Sequence, residues 1–174
     1  MRRAKVLLPA IFLVLASYLL CIKFKTTKIE AAPLVNNFQS QNRNIKYEPD
    51  KIVIKDLNIE IAVKKAKIVN GYWEVFDDAA GWGEGSSYPG ETGNAVIFAH
   101  VRRGFFLNLK DITRDMIIEI HSGVNSYQYK MIDEKEVPPS DLSVVKPTKD
   151  ETLTLFTCSG PFDTKRLVVV AKRV

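Results

Sequence analysis

Apolar and polar residues alternate in short runs over the C-terminal part of the chain. From Lys51 onward the apolar positions are mostly β-branched or aromatic, and turn-forming clusters such as "NG", "DLN" and "HSGVN" separate the runs. A period of two built from such residues is typical of half-buried strands. Eight runs fit this description: "KIVIKDL", "IEIAVKKAKI", "YWEVF", "NAVIFAH", "DMIIEIH", "SYQYKMIDEKEV", "TLTLFTC" and "RLVVVAKR".

No helix-length period links these runs, so the pattern favours a mainly β fold, and eight strands predict a closed or nearly closed barrel. Two connecting segments are long enough to hold one or two short helices. Val101–Thr113 is expected to carry Phe105, Phe106 and Leu109 inward on a short helix. Pro138–Glu151 is bounded by prolines and is expected to contain one helical turn at most.

The segment Ala79–Gly93 interrupts the strand pattern with five glycines. Its glycines lack the spacing of a phosphate-binding loop, which needs a Lys and a Ser or Thr after the last glycine. We therefore predict an irregular loop here.

The N-terminal segment predicts a membrane anchor. Val6–Ile22 contains 17 residues without a charge, close to the lower limit for a helix that crosses a bilayer about 30 Å thick, and Lys23 and Phe24 can extend it. Cleavage as a signal peptide is disfavoured, because the nearest small-residue site, "IEAAP", places Ile29 or Glu30 at the −3 position. The predicted organisation is a short N-terminal tail (1–5), a transmembrane signal-anchor (6–24), a stalk rich in Asn, Gln and Ser (25–49) and a β-barrel domain (50–174); the basic residues on the two sides of the span are nearly balanced, so charge does not set its orientation.

The formal net charge of +5 belongs to the N-terminal extension. Residues 1–49 hold 8 Lys and Arg against 2 Glu, whereas residues 50–174 hold 17 basic against 18 acidic side chains. The barrel domain therefore lacks the net-charge footprint of a protein that binds a phosphate backbone, and we expect no nucleic-acid partner.

Three residues in the barrel domain suggest nucleophilic chemistry. His100 and Cys158 each end an apolar, strand-like run, and Arg166 begins the next run after "SGPFDTK". A thiol nucleophile needs a base or cation nearby, and acyl transfer needs a donor for the developing oxyanion. The alternative is that Cys158 is a small buried hydrophobe. The other cysteine, Cys21, lies in the apolar N-terminal run, so we expect Cys158 to be a free thiol.

Other candidate residues receive structural interpretations. His121, at a strand-to-turn boundary, is interpreted as a surface histidine, and the two tryptophans as packing residues or groove walls. Three acidic side chains could in principle bind Ca²⁺, but adjacent strand positions point to opposite faces, so we interpret them as solvated strand charges and predict no cofactor. The residues concerned are Trp73, Trp82, Asp133, Glu134 and Glu136.

Three motifs in the barrel domain resemble those of the sortases, the cysteine transpeptidases that attach proteins to Gram-positive cell envelopes. "TLFTC", ending at Cys158, resembles the sortase TLxTC signature. "GNAVIFAH" resembles the Gly-Asn-x₅-His strand that carries the sortase histidine, here His100, and "RLVVV" resembles the strand that begins with the family's arginine, here Arg166. The resemblance extends from Lys51 to Val174, and an N-terminal anchor with a stalk matches the usual sortase layout.

The resemblance implies an eight-stranded barrel that cleaves an LPxTG-like sorting signal through a thioacyl-enzyme at Cys158. It implies that His100 protonates the leaving amine and then deprotonates the incoming one. It also implies that Arg166 binds the substrate backbone and the oxyanion, which Thr157 helps to hold. The loops Pro138–Glu151 and Ser159–Lys165 would flank the peptide groove.

The resemblance also implies partners and a location. The substrates would be secreted proteins with C-terminal LPxTG-like sorting signals, and the acceptor an envelope amine, either a peptidoglycan precursor or a protein lysine. The enzyme would be a single-pass protein of the cell membrane with its N-terminus in the cytoplasm and its catalytic domain outside.

The subclass is less constrained than the family. The sequence ends directly after its last predicted strand, and its stalk lacks the Asp-Pro-aromatic lid of many pilin-polymerising sortases, so we expect an enzyme that anchors single proteins. Phe98 is larger than the residue that sortases often place two positions before the histidine. Two alternatives remain: another envelope cysteine acyl-transferase or peptidase, or a non-enzymatic, membrane-anchored β-barrel binding module. An L,D-transpeptidase would require Ser-His-Gly-Cys, which "TLFTCSG" does not contain.

Overall fold

The strand Ile59–Ala66 shows how the sequence pattern becomes structure. In the computed structural model, which describes Lys46–Val174, the side chains of Ile59, Ile61 and Val63 are buried and the residues between them are exposed. Successive side chains of a strand point to opposite faces, so the alternation places every second residue in the interior.

The described residues contain ten strands and four short 3₁₀ helices. The strands are β1 (Lys51–Ile54), β2 (Ile59–Ala66), β3 (Ile68–Val69), β4 (Tyr72–Trp73), β5 (Ala80–Gly83), β6 (Gly93–Phe98), β7 (Ile117–Ser122), β8 (Asn125–Val137), β9 (Glu151–Ser159) and β10 (Lys165–Arg173). The 3₁₀ helices are Lys55–Leu57, Phe106–Asp111, Leu142–Val145 and Pro161–Asp163.

Eight of the strands close into a barrel in the order β1-β2-β5-β6-β9-β10-β8-β7, and β3 and β4 form a separate two-stranded hairpin. Two neighbouring pairs, β2 with β5 and β6 with β9, are parallel, and the other pairs are antiparallel. The interior is filled by apolar side chains from all eight strands, including Ile52, Ile97, Leu155 and Trp82. The predicted mainly β barrel is confirmed.

The set of segments that forms the barrel strands differs from the prediction at one place. The segment Ala79–Gly93 was predicted to be an irregular loop, but its residues Ala80–Gly83 form β5 in the barrel wall. The run "YWEVF" was predicted to be a barrel strand, but only Tyr72–Trp73 is extended, in the outer hairpin. The prediction was wrong because alternating glycines in "AGWG" hide the period of two: only Trp82 carries a large side chain inward.

The predictions for the connecting segments agree with the structure. Phe106–Asp111 is a short 3₁₀ helix whose Phe106 and Leu109 are fully buried, and Phe105 packs against the core at its start. Leu142–Val145 is the single helical turn expected between the prolines.

A buried polar network joins β8 to the start of β9 and to the loop that precedes β6. The hydroxyl of Tyr129, which is completely buried, donates to Glu151 Oε1 at 2.8 Å and accepts from the Gly90 amide at 3.1 Å. Burial raises the pKa of Tyr129 far above its ordinary value, so the hydroxyl stays protonated and keeps this donor. Arg173 binds the same carboxylate at 3.2 Å, which ties β10 to β9 as well.

The chain entering the barrel is also attached to it. Lys46 pairs with Glu91 at 2.8 Å, and Glu48 pairs with Lys65 at 2.9 Å. The helices within residues 46–174 are all too short to cross a membrane. The predicted tail, the predicted anchor and residues 25–45 of the predicted stalk lie outside the described residues.

Candidate active site

The parallel pairing of β6 and β9 brings His100 and Cys158 to the same height on the barrel. The last residues in register are Phe98 and Phe156, and His100 and Cys158 each follow two positions later. Residues two apart in a strand share a face, so both point outward while Ala99 and Thr157 point inward. Arg166 is directly opposite Cys158 on β10, which places the three residues in one row across adjacent strands.

Thr157 fixes this arrangement from inside the barrel. Its hydroxyl is buried and donates to the carbonyl oxygen of Ala99 at 2.7 Å. The bond joins the residue before Cys158 to the residue before His100. Because a hydroxyl carries one proton, Thr157 offers its donor to Ala99 in this structure, and its side chain acts as a strand-to-strand link.

The guanidinium of Arg166 is held by the loop that precedes β10. Its Nη1 donates to the carbonyl oxygens of Asp163 and Lys165, both at 2.9 Å. Phe162 and Asp163 adopt positive φ angles of 54° and 58°, which non-glycine residues seldom do. The two bonds stabilise this loop, and among the described residues they are the hydrogen bonds of the Arg166 side chain, which leaves its Nε and Nη2 protons unused.

Cys158, His100, Arg166 and Thr157 all line one open cleft of about 370 Å³ on the outer face of the barrel. The cysteine is a half-buried free thiol, and the imidazole of His100 is 39% exposed. The structure therefore brings together all four site residues proposed from the sequence. The remaining lining is apolar: Tyr72, Trp73, Val75, Phe98, Ala99 and Phe156.

Stacked aromatic rings form the floor of the cleft. The ring of Phe98 lies between those of Trp73 and Phe156, with centroid distances of 5.6 Å and 5.1 Å and near-parallel planes. Glycines in β5 make this packing possible. A Cβ on Gly81 would lie 2.7 Å from the Phe98 ring, and one on Gly83 would lie 2.5 Å from the Trp73 ring. The two tryptophans were interpreted as packing residues or groove walls: in the structure Trp73 lines the groove and Trp82 packs in the core.

A smaller apolar pocket of about 130 Å³ continues the cleft and shares Trp73, Phe156 and Arg166 with it. Its other walls come mainly from the Pro138–Glu151 connection, including Leu142 and Val144. The two pockets adjoin at these shared residues, and we call them together the groove, which extends from the β3–β4 hairpin to the turn Leu142–Val145.

Asn94 holds this connection against the barrel. The side chain is 3% exposed, and its Nδ2 donates to the carbonyl oxygens of Val144 and Lys146, both at 3.1 Å. Only an amide nitrogen can donate to two carbonyls, so the orientation of the side chain is fixed. The asparagine of the "GNAVIFAH" motif thus positions a wall of the groove.

Asp77 was not singled out from the sequence, yet it lies beside His100. Its Oδ1 is 3.6 Å from His100 Nε2, and its side chain is 96% exposed. Nothing in "VFDDAAG" identifies this residue, because the loop that carries it approaches His100 only in the folded barrel.

The remaining candidates lie away from the cleft or have local partners. His121 pairs with Glu119 at 3.1 Å on β7 and does not line the cleft. Glu136 pairs with Lys165 at 2.8 Å. Within residues 46–174, no three His, Cys, Asp or Glu side chains are grouped so that they could hold a metal ion.

A family model for the sortase domain matches residues 52–174. The chain belongs to the sortase family. Sortases are cysteine transpeptidases, so this chain is an enzyme of that type. The sequence matches none of the curated proteins with which it was compared.

Solved sortase structures share the fold. A sortase C from Clostridium perfringens SM101 is 25% identical, with a TM-score of 0.62, over 74% of this chain and 71% of that one. The Clostridium perfringens sortase D5 transpeptidase is 23% identical, with a TM-score of 0.61, over 71% and 77%. A lid mutant of sortase A from Corynebacterium diphtheriae is 24% identical, with a TM-score of 0.61, over 83% and 81%. These structures are named as three different classes, so the subclass of this sortase stays a prediction.

We expect Asn94→Asp to release the Pro138–Glu151 connection. The carboxylate cannot donate to the two carbonyls and would be buried beside them, so the free energy of unfolding should fall by about 3 kcal/mol. Limited trypsin digestion should cut faster after Lys149, which is exposed, whereas Lys146 precedes a proline and resists cleavage.

Asn108→Asp is the matched control. The side chain of Asn108 also donates to a carbonyl, that of Leu57 at 3.0 Å, but this bond does not involve the Pro138–Glu151 connection. Its digestion rate at Lys149 should equal that of the wild type. Equal rates for Asn94→Asp and the wild type would show that Asn94 does not hold the connection.

Proposed function

We propose that this sortase cleaves an LPxTG-like sorting signal, forms a thioacyl-enzyme at Cys158 and transfers the bound protein to an amine of the cell envelope. The observation that carries the proposal is the row of His100, Cys158 and Arg166 along one apolar groove. A nucleophile, a proton donor and acceptor, and an oxyanion donor are the three groups that acyl transfer requires.

In the first half-reaction the Cys158 thiolate attacks the carbonyl carbon of the threonine in the sorting signal. The C–N bond then breaks, and His100 donates a proton to the amine that leaves. In the second half-reaction His100 accepts a proton from the incoming amine, whose nitrogen attacks the thioester carbon. The C–S bond breaks, and its electron pair returns to sulfur. The same imidazole thus serves as acid and then as base.

Arg166 is suited to bind the oxyanion of both tetrahedral intermediates. Two of its five N–H groups are bound by the Asp163 and Lys165 carbonyls, which fix the plane of the guanidinium. The Nε and Nη2 protons remain for the substrate. We assign Thr157 an indirect role, because its hydroxyl holds β9 against β6 beneath the reacting groups.

The shape of the groove supports an extended peptide as the proposed substrate. The cleft that contains Cys158 can hold the residues around the scissile bond, and the apolar pocket next to it can hold an apolar side chain a few residues earlier. Secreted proteins with a C-terminal sorting signal are the proposed donors. A peptidoglycan precursor or a protein lysine is the proposed acceptor.

This chemistry sets the proposed location. Sorting signals of secreted proteins and envelope amines both lie outside the membrane, so we place the barrel outside and the N-terminus in the cytoplasm, with residues 6–24 as a single membrane span.

The acyl-enzyme is the first test. Residues 46–174 form a compact unit, so this fragment can be mixed with peptides that carry LPxTG-like motifs and no amine acceptor. Intact-mass measurement should show an adduct equal to the N-terminal part of one peptide, located on Cys158 and removed by hydroxylamine. Cys158→Ala should give no adduct, and His100→Ala very little, since the leaving amine would lack its acid. Adducts that form equally on Cys158→Ala would contradict the thioacyl step at Cys158, and no adduct with any peptide on the wild type would contradict the proposed LPxTG-like substrate.

Arg166→Lys tests the oxyanion role. An ammonium cannot bind two loop carbonyls and also present a planar pair of donors to the oxyanion. We expect kcat/KM to fall by about 10²–10³-fold, the usual loss for one oxyanion donor. Retention of more than about half of the wild-type kcat/KM would disprove the role. Circular dichroism of the variant controls for loss of the fold.

Protease treatment of protoplasts tests the location. In intact Gram-positive protoplasts that express the full chain, added protease should digest the barrel domain. A cytoplasmic marker protein should survive until lysis. Protection of the barrel domain in intact protoplasts, with digestion after lysis, would contradict the proposed topology.

A further inference from the structure

The carboxylate of Asp77 lies near the imidazole of His100 but is not hydrogen-bonded to it. Asp77 Oδ1 lies 3.6 Å from His100 Nε2, beyond the length of a hydrogen bond. Its side chain is 96% exposed and is accessible to a ligand. A ligand nitrogen can therefore approach the carboxylate and the imidazole together.

The charges around Asp77 leave its carboxylate available. The next residue, Asp78, is bound to Lys64 at 2.7 Å, whereas the ion pairs within residues 46–174 give Asp77 no Lys or Arg partner. Arg102, just beyond His100 in the chain, has its guanidinium 4.2 Å from the centre of the Phe105 ring. A cation, Arg166, thus lies opposite Cys158, and an anion, Asp77, lies beside His100.

We infer that Asp77 recruits the amine acceptor in its ammonium form and delivers it to His100. The inference rests on the proposed function and adds the charge state of the second substrate. Amino groups of lysine side chains and of peptide N-termini have ordinary pKa values of about 10.4 and about 8, so most acceptors arrive protonated near pH 7.5. A carboxylate beside the base attracts this form and repels anionic molecules.

The proton balance of the transfer fits this arrangement. An ammonium nitrogen carries three protons, and the amide that it forms keeps one. His100 takes the first proton and frees the electron pair that attacks the thioester carbon. The second proton leaves the nitrogen as the C–S bond breaks and passes to solvent, so that Cys158 returns to the thiolate and His100 keeps the proton for the next acylation. Asp77 takes no proton, so it acts by binding the acceptor.

The effect should be modest and should depend on salt. Because Asp77 is almost fully exposed, its attraction for an ammonium resembles a surface ion pair, and we expect about a fivefold change in amine KM. Screening at high ionic strength should reduce the advantage of the wild type.

The test measures the discharge of the Cys158 acyl-enzyme by three nucleophiles in wild type, Asp77→Asn and Asp78→Asn. Triglycine amide and Nα-acetyl-lysinamide are mainly cationic near pH 7.5, and hydroxylamine is mainly uncharged. For Asp77→Asn we expect about a fivefold higher KM for the two cationic amines. Acylation, hydrolysis and discharge by hydroxylamine should be unchanged. Asp78→Asn, the matched control, should behave as the wild type with all three nucleophiles.

Two results would overturn the inference while leaving the proposed function intact. Equal losses of acylation, hydrolysis and all three discharge rates in Asp77→Asn would show that Asp77 orients His100 instead of binding the acceptor. An unchanged KM for both cationic amines would show that Asp77 does not recruit ammonium. Failure to form any acyl-enzyme on Cys158, or an acyl-enzyme that neither amine discharges, would instead refute the proposed function itself.

Discussion

The parallel pairing of β6 with β9 is the constraint on which the candidate site depends. It sets Phe98 beside Phe156, and therefore His100 beside Cys158 two residues later. Side-chain period makes the register strict, because a slip of one residue would turn one of the two functional side chains into the barrel. The bond from Thr157 to the Ala99 carbonyl holds the register at the point where the regular pairing ends.

A second constraint is the limited space for side chains on the outer face of the barrel wall. Large aromatic side chains cover the barrel wall below the row of polar residues, and they can lie flat because β5 presents Gly81 and Gly83 beneath them. Packed surfaces tolerate little extra volume, so side chains at these two positions would force the rings apart. The small residues of β5 therefore leave the space that the bulky side chain of Phe98 occupies.

Much of this arrangement can be predicted from local sequence, and the rest depends on long-range contacts. Strands such as Ile59–Ala66 alternate clearly because one face meets the core and the other meets water. β5 was not predicted because its outward positions are glycines, so its sequence shows no alternation of apolar and polar residues. The residues His100, Cys158 and Arg166 are identifiable from motifs at strand ends. The contacts of Asp77 with His100 and of Asn94 with Val144 join distant segments, and no spacing in the sequence encodes them.

The connection between β6 and β9 also affects when the site comes into existence during folding. Thr157 and Ala99 are 58 positions apart, and β7 and β8 are formed from the chain between them. Contacts at such separation carry a loop-closure cost that local turns do not, and they tend to slow folding. Partly folded chains can form hairpins such as β7–β8 and β9–β10 while His100 and Cys158 are still apart. The thiol therefore meets His100 only when β6 pairs with β9, so this long-range pairing also controls the onset of reactivity.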